Sequence, residues 1–208
     1  MRPPGPSLAY LVIGSLSLPV LRLVYRLRSS GAEHLPRQGG YVLAANHNSN
    51  FDPWPLAIPL FPRRFLRFMA KSELFWPPLG WVIAASGGFK VRRGERDTEA
   101  IETAARLARE GHVVVMFPEG TRRAKGLRKK HDARWRSGAA RIALEAGVPL
   151  VPAAISGTDR LARLAPIRVV YGAPLDLSDL DAEPTGESAR IATERLREAI
   201  HALEASLG

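Results

Sequence analysis

The chain has 208 residues, with 30 Lys and Arg against 20 Asp and Glu, a formal net charge of +10 and no cysteine. That length suits one domain with a substantial core. The missing cysteine excludes disulfides, thiolate metal sites and a cysteine nucleophile and agrees with a reducing compartment, while the basic balance asks for an anionic partner: nucleic acid, acidic phospholipid, coenzyme phosphates or an acidic carrier protein.

From Ser7 to Leu21 the chain is uncharged and mostly apolar. Those 15 residues fall short of the roughly 20 that a spanning helix needs, and Gly14 and Pro19 weaken one further. In the next stretch Arg22 and Arg26 share one helical face, while Leu21, Val24 and Tyr25 lie elsewhere. This predicts an interfacial helix, with arginines at headgroups and an apolar side in the acyl region. Partial or full insertion, a core helix and a secretory signal are the alternatives, the last with only Arg2 upstream and no small-x-small cleavage pattern. Residues 1–30 are thus set apart as a membrane-associating segment from a domain over 31–208.

Gly39-Gly40 leads into Tyr41-Val42-Leu43-Ala44-Ala45, an apolar run that reads as a short buried strand. It delivers His47 to its carboxyl end, where open α/β sheets place their chemistry. Asp52 follows five residues later and is positioned to accept from one ring nitrogen of His47, fixing the tautomer and leaving the other nitrogen to take a proton. A structural or helix-capping role is the competing reading of Asp52.

Pro53, Pro55 and Pro59 keep any helix over 52–60 short. Phe65 to Ala70 reads as a strand, and Lys71-Ser72-Glu73-Leu74 opens a helix. Phe75, Trp76, Leu79 and Trp81 are read mainly as core, with an acyl tunnel as the alternative. Asp97 to Glu110 carries a clear helix signal: Asp97 as N-cap, Ile101, Ala104, Ala105, Leu107 and Ala108 inside, Gly111 at the end.

Val113 to Phe117 is a second apolar strand, ending in Pro118-Glu119-Gly120-Thr121-Arg122. That ending suits an anion: Gly120 permits close backbone approach, Thr121 donates, and Arg122 offers a planar fork, with Glu119 orienting the arginine. A surface turn with a solvated ion pair is the alternative. Eight basic residues from Arg122 to Arg136 are opposed only by Asp132, and the only aromatic among them is Trp135. So little base-stacking surface argues against nucleic acid and for an anionic membrane surface. Further on, a helix is predicted over 138–145, strands over 150–155 and 167–171, and a closing helix over 188–207 with Ala192, Leu196, Ala199, Ile200 and Leu203 on one side. Strands separated by helices imply α/β with a largely parallel mixed sheet flanked by helices, preceded by the membrane-associating helical segment.

No Gly-x-Ser-x-Gly elbow or Walker loop occurs, and His34, His112, His131 and His201 lack metal-ligand spacing with His47, so no metal is expected. Asn-His-x-x-x-x-Asp followed by Phe-Pro-Glu-Gly-Thr-Arg resembles the glycerolipid acyltransferase family, typified by 1-acylglycerol-3-phosphate acyltransferases. Between these blocks, Gly87-Gly88-Phe89-Lys90-Val91-Arg92-Arg93 is similar to the family's Gly-x-x-Phe-Ile-Asp-Arg block, with Lys90 and Arg92 as departures. Val148 to Ile155 is similar to its proline-containing fourth block.

The resemblance implies an enzyme that moves a fatty acyl group from acyl-CoA or acyl-carrier protein to the sn-2 hydroxyl of lysophosphatidic acid, with no other cofactor. His47 is then the general base, Asp52 its partner, and Arg93, Glu119, Gly120, Thr121 and Arg122 the phosphate site. Lys71 and Lys90 are candidate oxyanion or donor contacts, beside backbone amides near Asn46 or Gly88. The expected location is the cytoplasmic face of the cell membrane. Two other readings stay open: the same chemistry on a lyso-ornithine lipid, another lysophospholipid or a glycolipid, and a non-enzymatic basic binder.

Overall fold

The computed structural model describes residues 5–91, 98–120, 135–180 and 186–207. Its centre is a seven-stranded sheet in the order β1-β7-β6-β2-β5-β3-β4. The strands are β1 (Arg28–Ser30), β2 (Tyr41–Ala45), β3 (Leu66–Lys71), β4 (Gly88–Val91), β5 (Val113–Met116), β6 (Leu150–Ser156) and β7 (Arg168–Tyr171). β6, β2, β5, β3 and β4 run parallel, and β7 turns back against β6 with β1 parallel beside it. The expected α/β fold with a mostly parallel mixed sheet is therefore present.

Every residue of β2 is buried, because its alternating side chains enter two cores. Tyr41, Leu43 and Ala45 join Leu56, Leu66, Val113, Val115, Ile155 and Tyr171 on one face. Val42 and Ala44 join the inner sides of α4 (Thr98–Arg109), α5 (Gly138–Ala146) and α6 (Gly186–Ala205) on the other. α4 and α6 match the periodicity read from the sequence: Ala104, Ala105, Leu107 and Ala108 of α4 and Ala192, Leu196 and Ile200 of α6 are buried. Asp97 lies outside the described residues.

The first face is covered by α1 (Leu8–Pro19), α2 (Pro53–Ala57) and α3 (Leu79–Ala85). Ser7 caps α1 by accepting the Tyr10 N–H at 3.1 Å. Tyr10 packs edge-on to Phe65 at 4.7 Å between ring centres, and Gly14 lies so close to the Phe61 ring that a Cβ would overlap it. Ser17 Oγ accepts the Trp54 indole N–H at 2.8 Å.

The helix runs through Pro19 and finishes as a π-type turn over Val20–Val24, a widening suited to a ring that lacks an N–H and crowds the preceding turn. The expected pairing of Arg22 with Arg26 on one helical face is not found. Arg26 has φ +45° and has left the helix, and its guanidinium donates to the Leu164 carbonyl at 2.8 Å. Among the described residues no helix is long and apolar enough to cross a membrane.

A second expectation needs correction. The large apolar groups around α3 are not core: Trp76 is 57% and Trp81 71% exposed, and Leu79 and Val82 also face outward. Periodicity marks an apolar face without saying what covers it.

Candidate active site

β2 ends at Ala45, and its ladder with β6 is continued by a side chain. Asn46 Nδ2 donates to the Ile155 carbonyl at 2.9 Å while Asn46 Oδ1 accepts the Ile155 N–H at 2.8 Å, the two bonds a further peptide group would make. Asn48 Nδ2 adds a bond to the same carbonyl at 2.8 Å. The loop holding His47 is thus tied to the end of β6, the strand that carries the proline-containing block.

Asp52 sits directly beneath and is fully buried. Its Oδ2 accepts from His47 Nδ1 at 2.8 Å and from the Asn48 and Ser49 N–H groups at 2.7 and 2.9 Å. Its Oδ1 accepts the Thr158 hydroxyl at 2.5 Å. Four donors suit an ionised carboxylate, whose burial would otherwise be costly. Since Asp52 accepts, Nδ1 carries a proton, and in the neutral ring Nε2 is then the nitrogen with the lone pair. Nε2 has no partner among the described residues, and the side chain is 12% exposed, enough to reach a bound reactant. Asp52 also occupies the N-cap position of α2 but makes no capping bond there; its carboxylate is spent on the histidine loop.

β5 supplies the other wall. Phe117 stacks on the His47 ring at 4.1 Å between centres, with 17° between planes. Beyond it the chain turns, the Gly120 N–H bonding the Phe117 carbonyl at 3.0 Å and Gly120 adopting φ +67°. Glu119 is buried there. Arg136 returns to the same turn, donating its backbone N–H to Pro118 at 2.8 Å and laying its side chain along Gly120. Thr121, Arg122 and Arg93 lie outside the described residues, as does the basic segment as far as residue 134.

The two lysines stand apart. Lys71 is exposed at the carboxyl end of β3, two strands from β2. Lys90 lies on β4, three strands away or about 14 Å across the sheet, with its ammonium 5.2 Å from the centre of the Phe75 ring.

Beside α2, which follows Asp52 directly in the chain, lies an open cleft walled by Tyr10, Gly14 and Ser17 of α1 and by Trp54, Phe61 and Phe68. It is almost entirely apolar, and α1 forms much of one wall. The sequence motifs point to none of these wall residues, nor to Thr158, Asn46 or Asn48 in their bonding roles. The Asn46, Asn48 and Thr158 contacts join segments more than 100 positions apart, and only a β2–β6 adjacency would have suggested them.

A family model described as Acyltransferase matches residues 26–156. The chain is 31% identical over 197 residues to the 1-acyl-sn-glycerol-3-phosphate acyltransferase of Bacillus subtilis, covering 90% of this chain and 94% of that one. It is 37% identical over 137 residues to the lyso-ornithine lipid O-acyltransferase of Pseudomonas aeruginosa, covering 64% of this chain and 48% of that one. Among solved structures, the 1-acyl-sn-glycerophosphate (LPA) acyltransferase PlsC of Thermotoga maritima superposes with a TM-score of 0.64 at 26% identity, over 94% of this chain and 78% of that one.

Proposed function

The chain belongs to the acyltransferase family, and we propose that it transfers a fatty acyl group from a thioester to the sn-2 hydroxyl of 1-acylglycerol 3-phosphate, forming phosphatidic acid. Family membership sets aside the non-enzymatic binder. The observation that carries the reading is the His47–Asp52 pair, with Nδ1 held at 2.8 Å and Nε2 unengaged among the described residues.

Nε2 takes the hydroxyl proton as the oxygen attacks the thioester carbonyl, and Asp52 stabilises the imidazolium. When the tetrahedral centre collapses, the C–S bond breaks and the thiolate of coenzyme A or a carrier protein leaves, receiving the proton from His47. No acyl-enzyme is needed, and no cofactor beyond the thioester. The acceptor phosphate is assigned to Arg93, Glu119, Gly120, Thr121 and Arg122, an assignment supported by the family blocks. Lys71, at the carboxyl edge of the sheet, is the better placed of the two lysines to meet an oxyanion or the donor. The apolar lining of the cleft beside α1 supports an acyl chain as its occupant.

The outward apolar side chains of α1 and α3 support contact with one leaflet, aided by the basic segment on an anionic cytoplasmic surface. A second reading changes only the acceptor: the 37% identity to a lyso-ornithine lipid O-acyltransferase favours a lyso-lipid without a terminal phosphate.

The test is transfer from a labelled acyl thioester, in detergent, to 1-acylglycerol 3-phosphate and to lyso-ornithine lipid. Phosphatidic acid from the native chain, reduced about 10²- to 10⁴-fold by His47→Ala, is expected. Product only on the lyso-ornithine lipid selects the second reading, and equal turnover by native and His47→Ala chains overturns the base assignment.

A further inference from the structure

β6 leaves the sheet through Gly157, which adopts φ +89° and where a Cβ would overlap the Pro166 carbonyl. This tight turn drives Thr158 back under the histidine loop, where it is 2% exposed. Its hydroxyl donates to Asp52 Oδ1 at 2.5 Å, the short distance typical of an O–H bonded to a carboxylate. The three other donors to Asp52 all converge on Oδ2. Thr158 is therefore the one described residue that holds the second oxygen, and it holds it from the turn that follows β6.

We propose that Thr158 is a positioning residue for acyl transfer: by fixing the Asp52 carboxylate from its far side, it sets the direction in which His47 Nε2 faces the acceptor hydroxyl. The inference rests on the reading of His47 as base. A carboxylate gripped at one oxygen can swing about its terminal torsion and carry the imidazole with it. Gripped at both, it cannot. Misplacement of a reacting group by about 1 Å costs up to roughly 100-fold in rate, so a bond that touches no substrate still acts on turnover.

Thr158 has an electrostatic role as well. Its hydroxyl dipole offsets part of the carboxylate charge. Removing it leaves a more negative neighbour beside His47, which favours the imidazolium. A base must be neutral to accept a proton, so the acid limb of the rate profile moves to higher pH.

The experiment compares Thr158→Val, Thr158→Ala and Thr158→Ser in the full chain with the native enzyme. Acyl transfer is followed against pH, and the His47 imidazole is titrated by NMR without substrate. Expected are a fall in kcat of about ten- to a hundredfold for the Val and Ala chains, an acceptor KM within about twofold of native, an acid limb and His47 titration both displaced upward, and recovery of each property in Thr158→Ser. Native kcat and an unmoved His47 titration in Thr158→Ala overturn the proposal. The titration needs no turnover, so it decides the matter even if the native chain is silent on every acceptor, a result that would instead overturn the reading of the reaction. If Thr158→Val fails to fold, the Ala and Ser chains carry the comparison.

Discussion

The two faces of the sheet are covered in different ways. On one, α4, α5 and α6 lay alanines against the strands and turn charges outward, where pairs such as Arg106–Glu110, Arg190–Glu187 and Arg197–Glu194 are solvated. Such pairs contribute little to stability; they mark a surface made for water. On the other face α1 is apolar all round. Tyr10 turns inward, while Leu8, Val12, Leu16 and Val20 point outward at four-residue spacing, joined by Trp76 and Trp81 near α3. His47 and the apolar cleft belong to this second side. The contrast teaches that the fold leaves its exposed apolar groups on one face and its exposed charge pairs on the other, and that His47 sits with the apolar groups.

Removing the same atoms from each face gives the sharpest test. Leu196 is fully buried under the sheet, and Leu196→Ala should cost about 2–5 kcal/mol in denaturant unfolding. Leu16 is 72% exposed, and Leu16→Ala should change folding by no more than about 0.5 kcal/mol. Leu16→Glu should instead reduce co-sedimentation with anionic vesicles while leaving the unfolding midpoint near native. Equal stability losses at both leucines, or undiminished vesicle binding by Leu16→Glu, would break the contrast.

A smaller effect is expected where α1 meets the body of the protein. Gly14 touches the Phe61 ring, and a methyl group there must displace either the ring or the helix. Gly14→Ala should lower stability by about 1–3 kcal/mol in thermal unfolding, the usual cost of overpacking. Because both residues wall the cleft, it should also alter preference among acyl chain lengths in the transfer assay. A native melting curve with native chain preference would mean that α1 is not firmly seated.

The central strands were legible because β2, β5 and β6 are continuous apolar runs, and α4 and α6 because their periodicity is strong. β1 and β4 were not: Arg28-Ser29-Ser30 is wholly exposed and contributes only backbone pairing, and Gly88-Phe89-Lys90-Val91 mixes a glycine and a lysine into an edge. The His47–Asp52 bond was legible because its members lie five residues apart on one loop. The Thr158–Asp52 bond spans 106 positions, and nothing local to Thr158 announces it. The fate of Trp76 and Trp81 escaped for another reason. An apolar side chain left exposed and one buried in the core look the same in a sequence.

The water-facing side carries one titratable weak point. His112 is buried where α4 turns into β5, and burial, with Arg67 and Arg64 nearby, pushes its pKa below the usual histidine value while Glu110 pulls the other way. A depressed value means the unfolded chain binds the proton more readily. The stability tied to a neutral His112 is therefore complete above about pH 6.5 and lost as the pH falls through the lower folded value. His112→Gln, which has no proton to gain, should flatten the stability profile below pH 6.5 by a few tenths of a kcal/mol, a size limited by Glu110 and by nearby solvent. Denaturant midpoints of both chains at about pH 5 and pH 7.5 measure it. If the native and His112→Gln chains lose the same stability between those values, the acid sensitivity lies elsewhere, and the helix-covered face owes nothing to this buried imidazole.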